Sequence, residues 1–332
     1  MPARPTQLSI GKYWRLRQTA SPHGTFSILA IDHRGPLLRQ LKLQSQKDPE
    51  SLAPSGSRWL EQLTLLKQDV VAALGPHASA VLLDPETSAA HCAASHALAP
   101  PTGLITALDT GSTGDPQDTR TGLIDGWSVD QATRLGAQGV KLLVYYHPAA
   151  PDAHQVEQTV AAVARESARL QIPFFLEPLA CSPDAQRSPL PAPQRCEAIL
   201  ETLRRLVPLG VDVAKVEFPV PPQEVSCRQE WRAACEQLTA ACAIPWVLLS
   251  GGADYETFLE MTRIACGAGA SGVMAGRAVW KESVSTDPAV RDRFLTGVGV
   301  ERMTRLRDLC DAYARPFTQI YAAPQIEPGW YL

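Results

Sequence analysis

The stretch Asp212-Val213-Ala214-Lys215-Val216-Glu217-Phe218-Pro219 is a short apolar run that carries one lysine and is closed by an acid and a proline. Near-continuous apolar runs are what strands buried on both faces require. Upstream, Cys196 to Leu206 spaces its apolar residues as a helix does. The same unit recurs along the chain: an apolar run, a polar or Gly/Pro closure, then a segment able to form a helix. In order the runs are Phe26 to Ile31, Ala80 to Leu83, Leu104 to Leu108, Val140 to Tyr145, Phe174 to Leu176, Val213 to Val216, Trp246 to Leu249 and Gly272 to Ala275. Helices supply the crossovers that parallel strands need, and eight such alternations predict a closed (β/α)8 barrel, the TIM-barrel class.

Between the runs, Ser57 to Leu74 keeps Leu60, Leu63, Leu66, Val70 and Leu74 at steps of three and four, and His154 to Leu170 follows the same rule. Prolines stand at the joints Gly75-Pro76, Ile172-Pro173 and Ile244-Pro245, ahead of strands that would otherwise need that N–H. Two stretches break the rhythm, Thr110 to Gly126, rich in Gly, Asp and Thr, and Ser182 to Pro193, rich in Pro. Each is expected to be a long βα loop at the barrel mouth or a surface loop. Residues 1–332 are expected to form one barrel domain with an N-terminal extension and a C-terminal helical tail.

Composition narrows the function classes. With 45% apolar and 20% charged residues the chain can bury a sizeable core, and a net charge of −3 without a basic run leaves no footprint for nucleic acid or an anionic membrane. A small-molecule partner is the expectation. The eight cysteines are scattered, with no Cys-x-x-Cys pair, and Met1 to Arg17 lacks an apolar stretch of signal-peptide length, so a cytoplasmic enzyme is expected. Cys227, Cys235 and Cys242 recur at roughly helical spacing and are read as buried thiols on one helix face.

In a barrel of this kind chemistry sits at the C-terminal ends of the strands. Those ends carry Asp32, Asp84, Glu86, Glu177, Lys215, Glu217, Ser250-Gly251-Gly252 and Gly276-Arg277, while Lys141 lies at the start of its strand. Lys215 is the most informative, because burying an ammonium is expensive and desolvation or a neighbouring cation yields a neutral amine, a nucleophile for carbonyl carbon. The alternative is a buried Lys215–Glu217 ion pair. Glu177, on the adjacent strand about 5 Å away, is a general acid/base candidate, since imine formation and carbon–carbon cleavage both move protons. Lys141 is a second strand lysine that either contacts a substrate oxygen near Lys215 or snorkels outward. Ser250, Gly251, Gly252 and Gly276 offer backbone N–H groups to a phosphate and Arg277 a charged fork for it, the alternative for Arg277 being a bridge between strand ends.

Taken together, these motifs resemble the tagatose-1,6-bisphosphate aldolases, a class I family that includes the aldolases of 6-deoxy-6-sulfofructose 1-phosphate. The likeness runs from about Asp32 to Trp280 and rests on Leu-Leu-Asp-Pro-Glu ending at Glu86, Val-Lys-Leu-Leu-Val-Tyr-Tyr from Val140, and Phe-Phe-Leu-Glu ending at Glu177. It rests further on Val-Ala-Lys-Val-Glu around Lys215, Leu-Ser-Gly-Gly around Ser250 and Gly-Arg-Ala-Val-Trp ending at Trp280. The resemblance implies that Lys215 forms a Schiff base, that Glu177 is its acid/base, and that Lys141 and Asp32 assist at the reacting oxygens. Ser250, Gly251, Gly252, Gly276 and Arg277 would hold dihydroxyacetone phosphate, with no metal or other cofactor. Where the family usually has Asp-Gln-Arg, this chain has Asp32-His33-Arg34.

The implied reaction is reversible cleavage of a phosphorylated ketose, tagatose 1,6-bisphosphate, to dihydroxyacetone phosphate and glyceraldehyde 3-phosphate, in a homo-oligomeric lyase of carbohydrate metabolism. A sulfosugar aldolase would share these residues and release 3-sulfolactaldehyde, and Arg34, Ser112, Thr113 and Arg120 are candidates for the distal anion that separates the two. A metal-dependent aldolase is disfavoured, because His91 with His96 and His147 with His154 fall at no strand end beside a third ligand. A non-catalytic sugar-phosphate sensor is the reading from another class, which an intact Lys215–Glu177 pair argues against.

Overall fold

The computed structural model describes residues 6–45, 58–111, 122–184 and 190–329. Eight parallel strands close into a barrel in sequence order: β2 (Phe26–Ala30), β3 (Ala80–Leu83), β4 (Gly103–Ala107), β5 (Gly139–Tyr146), β6 (Phe174–Ala180), β7 (Val213–Val216), β8 (Trp246–Leu249) and β9 (Gly272–Ala275). The predicted (β/α)8 barrel is therefore the observed fold. Helices cover the outside, among them Arg58–Leu74, Ala153–Arg169 and Ala192–Leu206. In the first of these Leu63, Leu66, Val70 and Leu74 are buried against the barrel, whereas Leu60 is exposed. Cys235 and Cys242 are buried but Cys227 is exposed, because it precedes the helix Arg228–Ala241 rather than lying on its inner face.

Alternation along the strands sorts side chains into two cores. Leu29, Val81, Val140, Leu176, Ala214 and Leu248 face the helices, while Ile28, Leu82, Ile105, Phe175, Val213, Val247 and Met274 fill the barrel interior. Each fully buried side chain of this size is worth about 1.5–3 kcal/mol. The interior packing places strand β9 so close to β2 that a Cβ on Gly272, at φ 137°, would collide with the Phe26 carbonyl oxygen. Only glycine serves there.

The lower end is sealed by the termini. Strand β1 (Thr6–Gln7) pairs in parallel with β10 (Tyr321–Ala322), and from the helix Ile10–Thr19 the Leu16 side chain joins Phe26, Phe175, Phe317 and Tyr321 under the barrel. A buried ion pair of 2.6 Å ties Lys12 to Asp212 at the foot of β7. With this end plugged, the large cavity with the charged lining opens at the C-terminal mouth.

Candidate active site

At the mouth the interior positions turn from apolar to charged. Phe175 on β6 is followed two residues on by Glu177, Val213 on β7 by Lys215, and Gly139 on β5 by Lys141, so the three side chains enter the barrel on the pleat of their strands. Lys141 is the third residue of its strand, level with Ala107 of β4. All three are nearly inaccessible, at 1% for Lys141, 5% for Lys215 and 7% for Glu177. Glu177 Oε2 lies 2.8 Å from Lys141 Nζ and 2.9 Å from Lys215 Nζ. Lys141 also donates to Asp32 Oδ2 at 2.9 Å and sits 3.2 Å from Asp109 Oδ2.

That arrangement distinguishes the two lysines. Burial pushes the Lys141 pKa down, but Asp109, Asp32 and Glu177 together outweigh it and hold the pKa well above the ordinary lysine value. Lys141 is thus a fixed ammonium. Lys215 meets only Glu177 among the described carboxylates. Burial likewise works to raise the Asp32 and Glu177 pKa values, yet Lys141 and Lys215 prevail, and both carboxyls are held below their usual range. The resting site therefore offers Glu177 as a base between two amines.

The alternative Lys215–Glu217 pair is not formed. Glu217 instead accepts from Arg195 Nη2 at 2.6 Å and from the Ala180 N–H at 2.9 Å, and burial raises its pKa. Nor does Lys141 snorkel outward. Asp84 does not line the cavity and is taken up by a fully buried ion pair with Lys67 of the helix Arg58–Leu74, and Glu86 pairs with Arg34 at 2.7 Å.

Asp109 is the residue that sequence reasoning missed. It follows the β4 run, it accepts from the Leu143 N–H at 2.9 Å and the Gly111 N–H at 3.0 Å, and it anchors Lys141. Its parity with Ile105 and Ala107 was the available signal. Arg34, expected at a distal anion, lines the cavity, but its guanidinium is engaged by Glu86 and by the Asp109 carbonyl. Ser112, Thr113 and Arg120 lie outside the described residues.

Next to β7 in the barrel, β8 is followed by Ser250-Gly251-Gly252, where the glycines take φ 57° and 83°. Successive N–H groups in such a turn form an anion-binding concavity. Ser250, Gly251, Gly276 and Arg277 line one cavity of about 660 Å³ with Asp32, Lys141, Glu177 and Lys215. Gly252 is not on that wall, but a Cβ there would stand 3.7 Å from Arg277 Nη2. Arg277 makes no ion pair among the described residues, so the strand-end bridge considered for it is absent and its charge is available. Among those residues no group of three or more His, Cys, Asp and Glu is placed to hold a metal ion.

A closed parallel barrel whose one open end gathers buried lysines, carboxylates and an anion turn defines an α/β-barrel enzyme. More particularly, the sequence model of the DeoC/LacD family aldolases matches residues 26–282, and the chain belongs to that family. It is an aldolase. A tagatose 1,6-diphosphate aldolase 2 of Streptococcus pyogenes serotype M1 is 30% identical over 322 residues, covering 90% of this chain and 94% of the relative. The tagatose 1,6-diphosphate aldolase of Listeria monocytogenes serotype 4a (strain HCC23) is 29% identical, with 96% of each chain covered. In fold, the fructose-bisphosphate aldolase of Plasmodium falciparum superposes with a TM-score of 0.67 at 15% identity, over 94% of this chain and 98% of that one.

Proposed function

We propose that the protein is a class I aldolase that reversibly cleaves a ketose 1,6-bisphosphate, tagatose 1,6-bisphosphate, to dihydroxyacetone phosphate and glyceraldehyde 3-phosphate through a Schiff base on Lys215. The observation that carries this reading is one carboxylate oxygen of Glu177 shared by Lys215 and an immobilised Lys141 at the mouth of the barrel. The names of the bacterial relatives support the substrate. In the forward direction Glu177 takes a proton from Lys215, whose free amine adds to C2. Glu177 then returns a proton to the departing hydroxyl, and water leaves as the iminium forms. Glu177, a carboxylate again, takes the O4 proton as the C3–C4 bond breaks, glyceraldehyde 3-phosphate departs, and the electron pair is held as the enamine on Lys215. Protonation at C3 and hydrolysis release dihydroxyacetone phosphate and regenerate the amine. Lys141, kept charged by Asp32 and Asp109, is the donor for the oxygens that gain charge on this path.

Ser250, the Gly251–Gly252 turn, Gly276 and Arg277 form the phosphate end. On this reading Arg277→Ala raises KM for phosphorylated ketoses about ten- to a hundredfold, the value of a charged hydrogen bond of ~1.5–3 kcal/mol, while borohydride trapping persists. Steady-state kinetics with an unchanged KM would remove Arg277 from the phosphate end. The substrate is tested by parallel turnover of tagatose 1,6-bisphosphate, fructose 1,6-bisphosphate and 6-deoxy-6-sulfofructose 1-phosphate. The expected outcome is the highest kcat/KM on the tagatose ester, and a preference for the sulfonate would replace the distal phosphate in this proposal. We also read residues 1–332 as one domain, supported by the pairing of β1 with β10 beneath the barrel. A cytoplasmic location is consistent with eight free cysteines, and no described helix is long and apolar enough to cross a membrane.

A further inference from the structure

His33 is the one imidazole on the cavity wall, and the cleavage path above gives it no task. Its ring packs edge-on against Trp280, 5.4 Å between centroids, and the Trp280 indole is itself pinned by donating to the Ala30 carbonyl at 3.0 Å. The imidazole is therefore held in place. Its Cε1 stands 3.2 Å from where a Cβ on Gly276 would be, and the Ser250 hydroxyl stands 3.8 Å from the same point. The missing side chain of Gly276 thus leaves a space walled by an imidazole and a hydroxyl, with the Arg277 guanidinium one residue further on. Nδ1 of His33 is buried without a hydrogen-bond partner among the described residues, its nearest acid, Asp32 Oδ1, being 3.8 Å away. That nitrogen is closed off from the cavity, whereas a quarter of the His33 side chain is exposed on the cavity wall, so the ring offers a ligand its other nitrogen, Nε2.

Charges face the ring from several elements. Asp32 beside it and Glu177 on β6 favour the imidazolium, Arg277 and Lys215 on β7 oppose it, and Trp280, Ser250 and Gly276 are neutral. Burial is the largest influence, and the free site keeps His33 neutral, with its pKa pushed down to about 4. An anion seated on Arg277 offsets one of these influences, the guanidinium's repulsion, and adds a new one, negative charge beside the ring. We propose that His33 is a phosphate-contacting residue, and that its imidazole takes up a proton as a phosphomonoester dianion seats among His33, Ser250 and Arg277.

The inference rests on the aldolase reading above, so its test separates the two. Dihydroxyacetone phosphate is titrated calorimetrically into the wild type and into His33→Gln at about pH 6, in two buffers of different ionisation enthalpy, with borohydride trapping in parallel. Proton exchange that does not involve His33 cancels between the two proteins, so the difference reports on His33. Proton uptake per site should be larger in the wild type than in His33→Gln by about half a proton or more. The affinity of His33→Gln should fall several-fold near pH 6 and by less as pH rises, whereas loss of a purely structural contact weakens binding equally at every pH. His33→Asn serves where the glutamine is not tolerated. Equal proton counts with both proteins trapped would remove His33 from the phosphate end and leave the aldolase intact. A wild type that neither binds nor is trapped would overturn the aldolase reading, and this inference with it.

Discussion

Lys215→Met should lose turnover by at least about four orders of magnitude and lose borohydride trapping altogether. The two losses go together because one amine is asked to supply both nucleophile and electron sink. Lys141 cannot stand in for it. Its ammonium is shared among Asp32, Asp109 and Glu177, and deprotonating it would strand three buried carboxylates at once. The substitution should also be gentle on the fold, since Met matches the length of the lysine stem and Glu177 keeps its contact with Lys141. An unchanged thermal midpoint would show that chemistry rather than folding was lost. Peptide mass mapping of the reduced wild type should place the dihydroxyacetone phosphate adduct on Lys215, and chelation by EDTA should leave the wild-type rate unchanged. An adduct on Lys141, or a rate that falls with EDTA, would overturn the mechanism.

The barrel is legible in the sequence because its strands are buried on both faces, so β3, β7, β8 and β9 stand out as apolar runs with the observed limits. For β6 the apolar run ends at Leu176, before Glu177-Pro178, and the strand is longer than the run. It continues to Ala180 because after Leu176 it pairs with β5 alone, and a proline is tolerated where no second neighbour needs its N–H. The buried trio of Lys141, Glu177 and Lys215 is legible for a related reason, since a charge inside an apolar run at inward parity has few structural uses. Asp109 is hidden by the opposite surroundings. It opens a stretch rich in Gly, Asp and Thr, where an acid looks like ordinary loop composition. Partnerships across the chain leave no local trace at all. Lys12 with Asp212, Lys67 with Asp84 and Arg195 with Glu217 are set by closure of the barrel, and only the fold reveals that Glu217 is held by Arg195 and so leaves Lys215 to Glu177.

Glu177→Gln should retain ligand binding yet turn over about 10²–10⁴-fold more slowly, the usual contribution of a positioned acid/base. Gln fills the same space but can neither take the proton from Lys215 nor return one to the departing hydroxyl, so single-turnover trapping should slow along with steady-state cleavage. The two lysines respond differently to the change. Lys141 keeps Asp32 and Asp109, whereas Lys215 loses its only described carboxylate. Glu177→Gln should therefore also be less stable, by less than the ~3–5 kcal/mol that follows when a buried charge is left wholly unpaired. The Glu177 pKa is depressed in the folded protein, so its ion pairing stabilises fully above the ordinary carboxylate range and is lost as pH falls through the folded value. The thermal midpoints of wild type and Glu177→Gln should accordingly lie furthest apart near neutrality and converge on acidification. Cleavage by Glu177→Gln at the wild-type rate would move the acid/base role elsewhere. A gap in stability that widens toward acid would mean that Glu177 is not the ionised partner of both lysines.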